Sequence, residues 1–231
     1  EAAAVQARAV VEAVDRTRPG RVVISTSGRI VDQPDSPLQA AAGSPIMTLI
    51  DGVTGSGVPT AVVAPRLYLE NLLLPVVLAP ARQEGVLRYP LPASFPVSWI
   101  SHLDVADVVA RLLTDASVTG TVAVGHRPGL TGQDLAAAFS THLGREVRYE
   151  GITPEAFGKL ITPLFGPAAA PVVDLYRTLN EQDGNIIGED NSAQVLLGLA
   201  PRPVESWLAA LSIQESPTAV TVSEKSSTPH I

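Results

Sequence analysis

Hydrophobic and polar positions along this chain switch repeatedly between a helical period and short apolar runs. In "EAAAVQARAVVEAVDRTRPG" (residues 1–20) apolar residues recur at helical spacing and stop at Pro19 and Gly20, which predicts a helix. "RVVISTS" (21–27) is a β-branched run ending in hydroxyls and reads as a strand. "SPLQAAAGSPIMTLID" (36–51) predicts a weakly amphipathic helix, and "PTAVVAP" (59–65) a second, buried strand. Further on, "HLDVADVVARLLTD" (102–115) predicts a helix with Asp104 near its start. "TGTVAVGH" (119–126) is a third strand, and "LTGQDLAAAFSTHLG" (130–144) a helix capped by Thr131. Between them, residues 85–99 carry Pro90, Pro92 and Pro96 and read as an irregular or hairpin segment.

Strands alternating with crossover helices imply an α/β fold with a parallel sheet covered on both faces. From about residue 145 the pattern changes to a short strand and helices broken by Pro and Gly, a smaller C-terminal α/β lobe over 145–213. Residues 214–231 are polar and aperiodic, and predict a disordered tail.

The glycines of "GVTGSG" (52–57) resemble half of a phosphate-cradling loop, but the order is wrong. Such a loop needs a strand before it and a helix after it, so that helix amides face the phosphate. Here a helix precedes and a strand follows, so these glycines read as a helix stop and a turn.

Composition narrows the partners. The 231 residues carry a net charge of −7 and show no cluster of lysine and arginine to neutralise phosphates, which argues against a nucleic-acid partner. With no cysteine there is no disulfide, thiolate nucleophile or cysteine-bound zinc, and no pair of residues has metal-ligand spacing. Neither a membrane-length apolar run nor a basic-then-apolar start is readable, so a cytoplasmic protein without membrane contact is expected.

In parallel α/β sheets ligands sit beyond the carboxyl ends of the strands. That places Ser25, Thr26 and Ser27, then Pro65 to Asn71, then Gly125 to Arg127, among the candidates. Tyr68 has a phenol able to donate a proton to a developing oxyanion, or it packs the sheet end. Glu70 and Asn71 would orient a substrate carbonyl or cap the helix beginning there. His102, beside Trp99 and ahead of Asp104, is the best general base in the chain, or a structural residue at a helix start. His126 is weaker. Ser27 lacks a Gly-x-Ser-x-Gly setting, which argues against a hydrolase nucleophile.

"VVAPRLYLENLLLP" (62–75), "EGVLRYPLP" and "VSWISHLDVADVVARLL" resemble the NmrA-like family, an atypical branch of the short-chain dehydrogenase/reductase superfamily. The likeness rests on Pro65, Tyr68, Glu70 and Asn71, with Asp104 and Asp107 on the later helix, and extends to about residue 211. It implies a Rossmann-like parallel sheet over 1–144, a substrate lobe over 145–213, and a lid from residues 76–103. It also implies NAD(P) as cofactor and a small-molecule substrate. Ser25, Thr26, Ser27, Pro65, Arg66 and Leu67 would flank the nicotinamide, Tyr68 and His102 would be catalytic, and Glu70, Asn71 and Trp99 would touch substrate.

The family's opening strand and glycine loop have no counterpart here, since residues 1–17 align with a helix midway through its nucleotide-binding half. The sheet is therefore expected to be partial, its N-terminal strands missing. NAD(P) is expected only if the other half is supplied, and a complementary N-terminal chain or a homo-oligomer is the expected partner. No tyrosine is followed four residues on by lysine, which excludes the usual Tyr/Lys acid pair. Three functions follow. The chain is an NAD(P)-dependent oxidoreductase acting on a carbonyl or quinone-like compound, a cofactor-independent isomerase, cyclase or lyase, or a non-catalytic dinucleotide-sensing module.

Overall fold

A computed structural model describes residues 1–212. In chain order the elements are α1 (Ala2–Thr17), β1 (Val22–Ser25), α2 (Pro45–Gly55), β2 (Thr60–Pro65), a 3₁₀ turn (Leu69–Leu73) and α3 (Pro75–Glu84). They continue through β3 (Val86–Tyr89), α4 (His102–Thr114), β4 (Gly120–Val124), α5 (Gly132–Leu143) and β5 (Arg148–Gly151). The C-terminal part holds α6 (Pro154–Phe165), a 3₁₀ turn (Gly166–Ala168), α7 (Ala169–Asn180), α8 (Ala193–Leu197) and α9 (Val204–Ser212).

β1, β2 and β4 form a parallel sheet in that order, with Ser25 opposite Val63 and Pro65 opposite Val124. All six residues of central β2 are buried, as its unbroken apolar run requires of a strand covered on both faces. The parallel sheet covered on both faces is what the alternating pattern predicts, and the arrangement is Rossmann-like, as the family resemblance implies. On one face α4 and α8 pack Val108, Leu112, Ala193 and Leu197 against Ala61, Val63, Val122 and Val124. α1 and α2 cover Ile24 through Val14 and Val53. The edge strand β1 pairs only with β2 among the described residues.

Three expectations need correction. The helix expected over 36–51 begins only at Pro45, because Gly43 takes φ +76° and Pro45 occupies the first helical turn behind Ser44. Gly52 and Gly55 lie inside α2, so only Gly57 (φ +78°) makes the turn into β2. Gly52 serves helix packing: a Cβ there would stand 2.5 Å from Val11 of α1.

The third correction concerns residues 85–99: they are irregular beyond Tyr89, as read, but form no hairpin and no lid. β3 pairs in parallel with β5, Val86 against Arg148 through Tyr89 against Gly151. Leu91, Phe95, Val97 and Trp99 then enter the largest core beside Phe139, Phe157 and Trp207. The prolines are tolerated because this stretch runs between elements and not through a ladder.

The Thr131 cap falls where the sequence places it, and Ser101 is a cap the sequence reading does not name. Thr131 and Asp134 form a capping box on α5, and the Ser101 hydroxyl accepts the Asp104 N–H at 3.1 Å on α4. Pro154–Asn180 is 27 residues long and apolar enough to cross a membrane by length and composition. It nevertheless folds back at Gly166–Ala168, so that Gly158 meets Val173 and Arg177 reaches Glu155 at 2.7 Å. The predicted tail at 214–231 lies outside the described residues.

Candidate active site

β1 and β2 end side by side, and the Thr26 N–H donates to the Val63 carbonyl at 3.0 Å. The chain then reverses through Ser27 and Gly28, at φ 53° and 83°. Ser27 holds a left-handed backbone at a cost of about 1 kcal/mol for a residue with a Cβ. A Cβ on Gly28 would approach the Arg66 carbonyl to 3.2 Å and the Tyr68 ring to 3.7 Å, so glycine lets this turn press against the end of β2.

Beyond β2 the chain alternates sides. Leu67 faces a cleft, while Tyr68 packs with residues of the α4 side. The Tyr68 and His102 rings lie 4.4 Å apart, tilted by 55°. Glu70 ties this pair to the fold: its Oε1 accepts the His102 backbone N–H at 3.0 Å and the Trp207 indole N–H at 3.3 Å. Its Oε2 stands 3.8 Å from His102 Nδ1. Glu70 thus caps the start of α4 from across the molecule, where its charge also complements the helix dipole. Burial pushes the Tyr68 phenol above its ordinary value, and the Ser25 and Ser27 hydroxyls partly offset this. The phenol is therefore a protonated donor across the physiological range, set next to an imidazole whose side chain is 63 % exposed.

The cleft, about 770 Å³, lies between the amino-terminal halves of α1 and α2, the loop after β1, and α7. Its wall is mostly aliphatic, with Ile30, Leu38, Leu49, Leu67 and Leu175. Ser27 lies on its wall and also lends its hydroxyl to the surroundings of Tyr68, and so joins the cleft to the ring pair.

Several candidates sit elsewhere than expected. Arg66, expected beside the nicotinamide, is buried and ion-paired with Asp32 at 2.9 Å; Asn191 donates to the same carboxylate at 3.2 Å. Thr26, Pro65 and Leu67 are buried too, which leaves Ser25 and Ser27 as the exposed members of that set. Trp99, expected on a lid, is 2 % exposed and meets Tyr89 edge-on at 5.4 Å. Asn71 lies next to the Tyr89 hydroxyl, where Tyr89 and Tyr176 share a short hydrogen bond. His126 donates its backbone N–H to the Trp99 carbonyl and turns Nδ1 to the same oxygen at 2.7 Å, a structural duty. Asp32 and Asn185 were not legible as site residues, because their partners come from distant parts of the chain. Among the described residues no group of acidic or histidine side chains is arranged for a metal.

The model of the NmrA-like family matches residues 51–208. The chain belongs to the NmrA-like family. It is 32 % identical over 170 residues to an NAD(P)H azoreductase of Xenophilus azovorans, covering 71 % of this chain and 55 % of that protein. It is 24 % identical over 140 residues to the prestalk A differentiation protein A of Dictyostelium discoideum, covering 59 % of this chain and 46 % of that one. This NmrA-like chain spans about half the length of the curated relatives it matches. A triphenylmethane reductase of Citrobacter sp. complexed with NADP(H) superposes with a TM-score of 0.69 at 16 % identity, covering 90 % of this chain and 70 % of that one. The NADPH-dependent quinone oxidoreductase of Escherichia coli, complexed with NADPH, gives 0.67 at 16 %, covering 90 % and 71 %. At such identities these two establish a shared fold.

The residues present fit one end of a dinucleotide. The Ser25 to Gly28 turn offers exposed hydroxyls and a close-lying backbone at the carboxyl ends of β1 and β2. Among the described residues no strand, glycine loop and helix follow one another in the order that holds a pyrophosphate.

Proposed function

We propose that this NmrA-like chain carries the substrate side of an NAD(P)H-dependent reductase acting on a planar carbonyl or quinone-like compound. The observation that carries the reading is the Tyr68 and His102 pair, 4.4 Å apart at the carboxyl ends of β1 and β2, with Ser27 both at the Tyr68 hydroxyl and on the wall of an aliphatic cleft of about 770 Å³. A reduced nicotinamide, when bound, supplies the hydride. The chain's own groups do the rest. Leu67 and Leu49 bury the flat body of the substrate and exclude water. Tyr68, kept protonated by burial, donates from Oη to the oxygen on which negative charge develops. His102 returns a proton to Tyr68 from the solvent side, and Glu70 fixes the position of His102 through its backbone N–H. In this reading both units meet the substrate, 1–144 through Leu49 and Leu67 and 145–213 through Leu175 and Asn185.

The test is NAD(P)H oxidation in the presence of a 1,4-naphthoquinone. It is run on the chain alone and on the chain co-expressed with the glycine-loop half of a matched relative. Turnover that appears with the complement and falls in Tyr68→Phe supports the reading. Absence of turnover in both preparations rejects it.

A further inference from the structure

The cleft has an electrostatic character that its aliphatic wall conceals. Arg29 is the one charged residue on the wall, and no acidic residue contributes to it. Among the described residues the Arg29 guanidinium has no ion-pair or hydrogen-bond partner, although it sits on the loop that forms the cleft mouth. An unpaired cation at the edge of a low-dielectric cleft attracts an anion more strongly than the same cation on an open surface.

Two further groups on the wall are short of partners. Asn185 is 6 % exposed; its backbone bonds to Pro96 and Ser98, but its carboxamide has no hydrogen-bond partner among the described residues. The Ser44 hydroxyl is buried and also lacks one, although Ser44 stands at the N-cap of α2, where a serine ordinarily turns its oxygen to the helix. Backbone hydrogen bonds fold the segment after Arg29 back along the wall: Ala40 N–H donates to the Ile30 carbonyl at 2.7 Å, and Ser44 N–H to the Ala41 carbonyl at 3.0 Å. Buried polar groups are as a rule satisfied; the Ser44 hydroxyl is an exception closed off from solvent, whereas the Asn185 carboxamide on the cleft wall can meet a ligand's polar atom.

We propose that the cleft selects planar apolar molecules bearing one anionic group, an arene carboxylate or sulfonate. The ring system lies against Leu49, Leu67 and Leu175, and the anion lies at Arg29 with Asn185 as an additional donor. This specificity rests on the reading of the cleft as the substrate site, yet it is tested without cofactor or turnover. It also explains why Arg29 keeps no carboxylate partner: a pair like that of Arg66 and Asp32 nearby would cancel the attraction.

Calorimetric titration of the 231-residue chain with 2-naphthoate and with 2-naphthamide separates charge from shape. Naphthoate is expected to bind about tenfold tighter, the usual size of a charge-assisted hydrogen bond at a partly dry site. Arg29→Gln should reduce that preference to less than about twofold while naphthamide binds as before, and added salt should weaken naphthoate only. Asn185→Leu should weaken both ligands. Arg29 is exposed, so melting of Arg29→Gln should match the parent and confirm that it folds. Equal affinity for the two ligands, a preference surviving Arg29→Gln, or no binding of either overturns the proposal. If the preference stands while no NAD(P)H oxidation is found, the reductase reading fails and this one survives.

Discussion

Tyr68 and His102 meet ring to ring, 4.4 Å between centroids, because β2 and α4 end and begin at the same rim of the sheet. A bridge between Tyr68 and Ile100, with Leu69 N–H donating to the Ile100 carbonyl at 2.9 Å, holds the two segments in register. The pair thus rests on backbone hydrogen bonds and on Glu70, not on side-chain chance.

Tyr68→Phe keeps the ring and removes only the hydroxyl. Turnover of a quinone substrate is expected to fall by about 10²-fold or more, the size of general-acid catalysis, with the melting temperature nearly unchanged. Tyr68→Ala should lose stability as well, since the half-buried ring packs against the core cluster that holds Val63, Ile100 and Val108. Full activity in the Phe variant would leave His102 as the only proton-transfer group of the pair.

The buried ion pair yields a second expectation. Asp32→Asn strands a guanidinium that is already short of partners at Nε and Nη1, and should cost about 3–5 kcal/mol in urea unfolding. Arg66→Met alone should cost comparably, whereas Arg66→Met with Asp32→Leu should recover most of the loss. A double variant as unstable as the singles would show that the pair contributes more than its own burial.

Alkaline stability is set by tyrosines. Burial raises the phenols of Tyr89, Tyr176 and Tyr149 above their ordinary 10.0. The unfolded chain therefore loses these protons at lower pH than the folded one. Their contribution is intact below about pH 10 and declines as pH rises beyond it. Urea unfolding from pH 7 to 11 should be flat and then fall, less steeply in Tyr176→Phe. An unchanged slope in that variant would place the titration elsewhere.

With no strand, glycine loop and helix in that order among the described residues, the chain should hold NADPH only weakly. Fluorescence titration checks this, and saturation at low micromolar concentration would contradict it. The same experiment with a complementary nucleotide-binding half should restore binding.

Assembly is the last expectation. β1 leaves its outer edge unpaired among the described residues, and α1 exposes Val5 and Val10 by about half. Open edges and apolar helix faces seek cover. Sedimentation should find a homo-oligomer or a complex with a second chain; a monodisperse monomer would refute this.

The sequence by itself determined the alternating α/β order, the cap at Thr131, the parallel central strand and the family motif around Tyr68. These depend on neighbours within a few residues, where period, propensity and capping chemistry act directly. Tertiary structure decided what each candidate faces. It put Leu67 and Tyr68 on opposite sides of one rim, took Arg66 inward to Asp32, and sank Trp99 beside Tyr89. It also placed Asn185 in the wall of a cleft whose other side begins at Ala3. Each outcome joins segments far apart in the chain, where burial and charge pairing act only after the backbone has closed, and no local pattern of residues encodes such partners.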